Sequence, residues 1–346
     1  MRVGFDVAPL HVPHSRGLRR VCQGLVSALE RRARLDVVRL SPPDGTLLRW
    51  RQLELPKEVR RNGLVGIHSC TSAFPVRGPG ARVQTIHELP WLHGVTENAD
   101  WIHRLWARLG PLRADRVVVP TEHVARGLAR FAWGGRDRIR AVPWGFDPRF
   151  AEEAAPGVID EAVLERHRLG DMPYVLAPGA DRAKKNLAGL LDGFAELERR
   201  GERRLRLVVT ASDTPDLRRD LGRATRLGLA HRVSTLEEVA EEELPSLVRL
   251  AEAVSVLSHS EGFGLSVLEA LACATPVLVP RASAQAEVAG DAGIVCDPAD
   301  PTSVADALER AVAERESSRP VLVARAANFT WDACAERIEA LWSELA

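Results

Sequence analysis

The chain has 346 residues, enough for two ordinary domains with a core in each, and its 45% apolar and 27% charged residues exclude a disordered chain. No apolar run reaches the roughly 20 residues of a membrane span. The zero net charge hides two opposite halves: residues 1–150 hold 25 Lys and Arg against 13 Asp and Glu, and residues 151–346 hold 22 against 34. Such a split predicts two domains, the first facing an anionic partner, unless the opposite charges serve only to dock the halves.

In chain order, residues 3–7 read as a short strand and 17–31 as a helix through Val21, Leu25 and Leu29. Residues 37–40, 64–68, 83–86 and 117–120 read as further strands, the last followed by a helix that Thr121 caps, with Glu122 in its first turn. The acidic stretch 151–170, AEEAAPGVIDEAVLERHRLG, reads as a hinge or linker. The alternation then restarts: strands at 174–177, 205–210, 254–257 and 276–279, helices at 186–200, 243–251 and 265–273. Strands separated by helices of this length predict an α/β fold with parallel sheets covered on both faces. Five scattered cysteines without a C-x-x-C, and a start with no h-region, predict reduced thiols in a cytoplasmic protein, neither a zinc site nor a disulfide framework.

Ligands of open parallel sheets sit at the carboxyl ends of strands, so the strand-to-helix loops are the places to search. The first, Pro178-Gly179-Ala180-Asp181-Arg182-Ala183-Lys184-Lys185-Asn186, carries three cations into a helix N-terminus, where backbone N–H groups favour phosphate. It lacks the Gly-Lys-Ser/Thr of a P-loop, and a solvated basic loop is the alternative. The second, Ser258-His259-Ser260-Glu261-Gly262-Phe263-Gly264, opens a helix carrying Glu269. Its glycines permit close backbone approach, and carboxylates beside a phosphate site suit the vicinal diols of a ribose and a sugar. That combination describes a nucleotide sugar. His259 is either a donor contact or a spacer. A dinucleotide fold is the runner-up, but Val267 stands where G-x-G-x-x-G needs its third Gly.

EGFGLSVLEALACATPV resembles the signature of retaining glycosyltransferase family 4 (glycosyl transferases group 1), whose fold is GT-B. Glu261 and Glu269 match its E-x7-E pair. YVLAPGADRAKKNL is similar to the donor-phosphate segment usually written with Pro-Arg-Lys-Asn, which places Lys185 on the phosphate-binding lysine. TIHEL resembles T-x-H-D-L and places His87 on the active-site histidine; VPWGFD resembles the V-P-N-G-V-D turn, and ASAQAEVAGDAGIVCDP the L-P-E-v-v-G-d-A-g stretch. SRGLRR resembles a Gly-rich G-[IV]-G-R segment near the diphosphate, with Gly17 and Arg20 matching. Four positions depart from the pattern. Ala180 stands where many members have a second phosphate-binding Arg, Arg19 replaces a Gly, Glu88 an Asp, and Ala274 a Gly. Arg182 or Lys184 would supply the charge missing at Ala180.

The resemblance implies two Rossmann-like parallel-sheet domains facing across a cleft. Residues 1–160 would form the acceptor side, joined by a C-terminal helix near 329–346, and residues 161–328 the nucleotide-sugar side. It implies a retaining glycosyltransferase, a mannosyl- or other hexosyltransferase of cell-surface polysaccharide synthesis, with His87, Glu261 and Lys185 catalytic. Glu269 would hold ribose hydroxyls, Gly262, Phe263, Gly264 and Leu265 would give backbone contacts, and Arg182, Lys184 and Gly17 would also serve the donor. No Asp-x-Asp pair is present, so a reaction needing neither metal nor cofactor is expected. Arg16, Arg19, Arg20 and Trp91 are the acceptor-side candidates. With Arg49, Trp50, Arg51, Lys57, Arg60 and Arg61 set among leucines, they predict an anionic glycan or lipid-linked acceptor and reversible contact with the inner face of a membrane; nucleic acid is not expected. Most of Trp91, Trp101, Trp106, Trp133 and Trp144 are expected in the core. A sugar-nucleotide epimerase on the same architecture and a non-catalytic nucleotide-sugar-binding protein are the alternatives.

Overall fold

Runs of three to five mostly aliphatic residues form strands, and those at the centre of each sheet are buried on both faces, the composition of parallel sheets covered by helices. The computed structural model describes residues 1–11, 16–42, 47–170 and 172–345. The chain divides into two units, Met1–Phe146 with Phe329–Ala346, and Asp147–Asn328.

In the first unit, β1 (Arg2–Asp6) leads through α1 (Arg16–Arg32) to β2 (Asp36–Leu40), and the strands pair in parallel with Val3 opposite Val37. Residues 47–61 form a broken helix: α2 (Leu47–Arg49), a wider turn over Trp50–Glu54, then α3 (Leu55–Arg61). β3 (Gly66–Ser69) and β4 (Ala81–Thr85) precede α4 (Trp101–Arg113), which Asp100 caps by accepting from the His103 N–H at 2.8 Å. β5 (Arg116–Val119) leads into α5 (Glu122–Phe131), where the Thr121 hydroxyl accepts from the Val124 N–H at 3.2 Å, the cap expected from sequence. With β6 (Ile139–Ala141), the sheet runs β2-β1-β3-β4-β5-β6, all parallel.

The second unit begins with a correction. The stretch 151–170 is no free linker: α6 (Asp160–Arg166) lies within it, and Arg249 holds Asp160 at 2.6 and 3.0 Å and the Ala151 carbonyl at 2.6 Å. Its acidic, Pro-Gly-containing sequence obscured a two-turn helix fixed by a long-range ion pair. Then come β7 (Tyr174–Pro178), α7 (Leu187–Arg199), β8 (Arg206–Thr210), α8 (Pro215–Arg226), β9 (Val233–Leu236), α9 (Leu244–Arg249) and β10 (Ala253–Ser255). α10 (Leu265–Ala272), β11 (Val277–Pro280), α11 (Ala284–Ala289), β12 (Ile294–Cys296) and α12 (Pro301–Ala326) complete it. The sheet order is β12-β11-β10-β7-β8-β9. Its core packs Val175, Leu207 and Val209 against Leu191 and Phe194 of α7 and Leu308 of α12.

That order has a functional consequence. The chain winds outward from β7 in one direction and from β10 in the other, so the loops leaving these neighbouring strands diverge and open a crevice at their carboxyl ends. After α12 the chain rejoins the first unit. α13 (Trp331–Ser343) lies on α1, the Trp331 indole occupying the space that a side chain at Gly24 would need, and Arg32 holds Glu339 with two nitrogens at 3.0 Å.

Candidate active site

The loop after β7 is shaped by two left-handed residues. Gly179 takes φ +63° and donates its N–H to the Thr210 hydroxyl at 3.0 Å, while Asn186 takes φ +56°. Asparagine tolerates that conformation, and its side chain also caps α7 by accepting from the Gly189 N–H at 3.2 Å. Between them Ala183–Lys185 form one 3-10 turn. The turn directs Lys184 and Lys185 inward and leaves Arg182 on the surface, 3.8 Å from the Asp181 carboxylate.

Both lysines converge on the loop after β10. Lys185 Nζ donates to Glu261 Oε1 at 2.8 Å, and Lys184 Nζ, its side chain only 4% exposed, lies 3.9 Å from Glu261 Oε2. Burial alone would raise the Glu261 carboxyl, but Lys185, Lys184 and Arg182 outweigh it and hold the pKa down to about 2. Gly264, at φ +97°, is the N-cap of α10, whose first residue is Leu265; Gly262 and Phe263 are buried beside it. Glu269 is a buried carboxylate in the otherwise apolar helix LSVLEALA. Burial first, with Glu269 nearby, pushes the Cys273 thiol up to about 12, and all five cysteines are free and buried. His259 donates its backbone N–H to the Lys184 carbonyl at 2.8 Å, so its main chain ties the two loops together.

The remaining candidates lie in the first unit. His87, just after β4, places Nε2 2.8 Å from the Cys70 carbonyl, and its ring lies 5.7 Å from that of Trp144. Burial lowers its pKa against the opposing pull of that carbonyl and of Glu88. The ring is therefore neutral at pH 7, with Nε2–H donating and Nδ1 left as an acceptor. Arg16, Gly17, Arg19 and Arg20 occupy the first turns of α1, which carry no acid. A Cβ at Gly17 would meet nothing within 4 Å, so packing does not require glycine there. Trp91 packs against His103 and Phe131, each ring 5.3 Å away, with the Arg104 guanidinium 5.9 Å from its centroid.

The family model described as glycosyl transferases group 1 matches residues 161–328, the span that holds Lys184, Lys185, Glu261 and Glu269. This segment is a glycosyl transferases group 1 domain. A D-inositol 3-phosphate glycosyltransferase of Corynebacterium diphtheriae is 33% identical over 67% of this chain and 57% of its own length. An O-antigen chain mannosyltransferase B of Escherichia coli is 31% identical over 54% of this chain and 48% of its own. The chain thus spans about half the length of the curated relatives it matches. Among solved structures, Anabaena HepE in complex with UDP and glucose superposes with a TM-score of 0.76 at 17% identity over 100% of both chains, and the shared fold is GT-B.

Within this glycosyltransferase domain, Ala180 is buried and hydrogen-bonds through its N–H to the Thr210 carbonyl at 3.1 Å. It borders a small pocket with Pro178, Lys185, Ser255 and Ser258 at the ends of β7 and β10. Ser258 Oγ is buried there without a protein partner. Ser258, Thr210 and Gln285, whose Nε2 donates to the Ser258 carbonyl at 3.2 Å, support the two loops but escaped sequence reasoning. They are ordinary polar residues brought in from distant segments, with no spacing to mark them. Among the described residues no group of three His, Cys, Asp or Glu converges as a metal site, and no helix is long and apolar enough to cross a membrane.

Proposed function

We propose that the chain transfers a sugar from a nucleotide-diphosphate sugar to an anionic acceptor, with retention of configuration and without a resident metal. The observation that carries this is the convergence of Lys184 and Lys185 on Glu261 at the β7–β10 switch point, beside the N-termini of α7 and α10. Fixed cations and helix N-termini stabilise negative charge where it grows, on the departing diphosphate. Glu269 accepts from the ribose hydroxyls, and Glu261 orients the donor sugar. Neutral His87 offers Nδ1 to a sugar hydroxyl. The acceptor oxygen bonds to the anomeric carbon on the face the diphosphate leaves, the glycosidic C–O bond breaks, and the leaving phosphate oxygen takes the acceptor's proton.

The acceptor follows from α1. Arg16, Arg19 and Arg20 stand in its first turns with no acid among them, in a unit whose sequence is rich in arginine. The named relatives, an inositol 3-phosphate glycosyltransferase and an O-antigen mannosyltransferase, fit a phosphorylated or polysaccharide acceptor.

Thermal-shift titration with UDP, GDP and ADP sugars in chelator, followed by turnover on phosphorylated acceptors, tests the reading. A stabilising donor whose sugar reaches the acceptor with unchanged anomeric configuration is the expected result. Epimerised sugar with no acceptor added, nucleotide binding without turnover, or activity that returns only with magnesium would each overturn it.

A further inference from the structure

Of the basic residues in 47–61, where the sequence suggested a charged surface, Arg49 and Arg60 are exposed but the other three are paired. Trp50 and Arg51 are buried there, and Arg51 donates to the buried Asp6 carboxylate at 2.6 Å. Lys57 and Arg61 are neutralised by Glu54 and Glu58 at 2.9 and 2.7 Å. α4 and the turn after α5 are built differently. Trp106 and Trp144 are buried and Trp91 is partly buried, so most of the five tryptophans are core as expected, but Trp101 is 71% exposed and Trp133 58%, and Ile102 and Leu112 are exposed with them.

α4 contains no Asp or Glu, while Arg104, Arg108 and Arg113 are exposed on it. Positions 101, 104, 108 and 112 recur at intervals that place them along one side of a helix. The Arg108 guanidinium lies 4.5 Å from the Phe131 ring centroid and 5.7 Å from that of Trp133, and Leu112 borders Gly134. The far end of α4 and the Trp133 turn are therefore one continuous surface. Over residues 101–140, nine arginines face three acids, of which Asp115 is already engaged by the Arg82 backbone N–H at 2.8 Å.

We propose that the face of Trp101, Ile102, Arg104, Arg108, Leu112 and Trp133 docks on an anionic lipid bilayer. An indole has an apolar body and one N–H, which suits the headgroup level, and guanidinium groups pair with phosphates beside it. Two exposed tryptophans with arginines and no acid along the helix combine apolar insertion with electrostatic attraction, the composition of a surface that lies in a membrane interface. Docking would bring the first unit to a lipid-linked acceptor. That purpose rests on the acceptor proposed above; the lipid binding itself does not.

The test is co-sedimentation of the full chain with phosphatidylcholine vesicles, with and without phosphatidylglycerol, at low and high salt. Binding only to the anionic vesicles, weakened by salt and accompanied by a blue shift of tryptophan emission, is expected. Trp101→Ser with Trp133→Ser, and Arg104→Glu with Arg108→Glu, should each cut partitioning by about tenfold or more. All four side chains are exposed, so melting temperatures should stay unchanged; if the charge-reversed pair does not fold, the tryptophan pair decides. Leu48→Ser with Leu53→Ser should bind like wild type. Negligible binding to anionic vesicles at low salt, binding kept by the tryptophan pair, or binding lost only in the leucine pair would overturn the proposal. So would a dimer that the same substitutions dissociate without any vesicle binding, since the face would then join two copies of the chain. Donor binding measured by thermal shift separates a failure here from a failure of the proposed activity.

Discussion

Lys185 Nζ and Glu261 Oε1 meet at 2.8 Å across residues 76 apart in sequence, joining the loop after β7 to the loop after β10. The pair holds the ammonium in place before any anion arrives. Stabilising a developing charge then requires little reorganisation, which is the source of most electrostatic catalysis. The same pairing separates the basic residues of the loop by role. Lys185 and Lys184 are fixed inside by Glu261, whereas Arg182 is half-exposed and lies 3.8 Å from its own neighbour Asp181.

Lys185→Ala should therefore lower turnover by about 10²–10³-fold, the loss seen when one preorganised donor is removed. If buried Lys184, and not Arg182, supplies the charge that Ala180 lacks, Lys184→Ala should weaken nucleotide-diphosphate binding. Arg182→Ala should change both by no more than about fivefold, as exposed pairs contribute about 0.2–1 kcal/mol. Steady-state kinetics with the donor varied checks all three, and a larger effect of Arg182→Ala than of Lys184→Ala would reverse the assignment.

The pH dependence of the cluster has a definite sign. Glu261 titrates at about 2 in the folded protein against 4.5 for an unperturbed carboxyl. The folded state binds its proton less readily than the unfolded chain, so Glu261 contributes stability fully above pH 4.5 or so and loses it as pH falls towards 2. The melting temperature of Glu261→Gln should lie below wild type at pH 7, and the gap should narrow through the range from pH 5 to 3. A gap that stays constant or widens on acidification would show that the lysines do not hold the carboxylate.

Much of this was legible in the sequence, because its determinants are local. Thr121 announces its helix cap, and the Gly-rich and Lys-rich loops announce themselves by residue type. Which cation points inward was not legible: that depends on a 3-10 turn ended by left-handed Asn186, a decision taken by backbone conformation. Gln285 reaches the Ser258 carbonyl across 27 residues, and no spacing rule records such a contact. α4 went unread because Pro111 and arginines interrupt its apolar rhythm. Composition placed most of the tryptophans in the core without saying which, because an indole is stable on either side of a helix, and only packing shows that Trp101 and Trp133 face outward.

Glu269 offers a test of the donor assignment that is independent of the lysines. Glu269→Gln keeps the shape of α10 but removes a charged acceptor, whose hydrogen bonds to a diol are worth about 1.5–3 kcal/mol each. Nucleotide affinity should fall by roughly ten- to a hundredfold with the fold intact, while affinity for inorganic pyrophosphate, which has no ribose, should hardly change. Calorimetric titration with both ligands separates the outcomes, and equal losses for the two would remove Glu269 from the ribose.

The first turns of α1 allow a prediction in which stability and function move in opposite directions. Arg16 is exposed at the positive end of a 17-residue helix with Arg19 and Arg20 beside it and no acid in the turn. Replacing it by glutamate puts a favourable charge at a helix N-terminus, an effect of about 0.3–1 kcal/mol for each charge involved. Arg16→Glu should thus raise the melting temperature by a few degrees. If Arg16 meets the anionic acceptor proposed above, the same substitution should raise KM for a phosphorylated acceptor at least severalfold and leave KM for the donor unchanged. Thermal denaturation and acceptor kinetics on one variant decide the matter: a stabilised enzyme with unaltered acceptor kinetics would show that the anionic acceptor binds elsewhere.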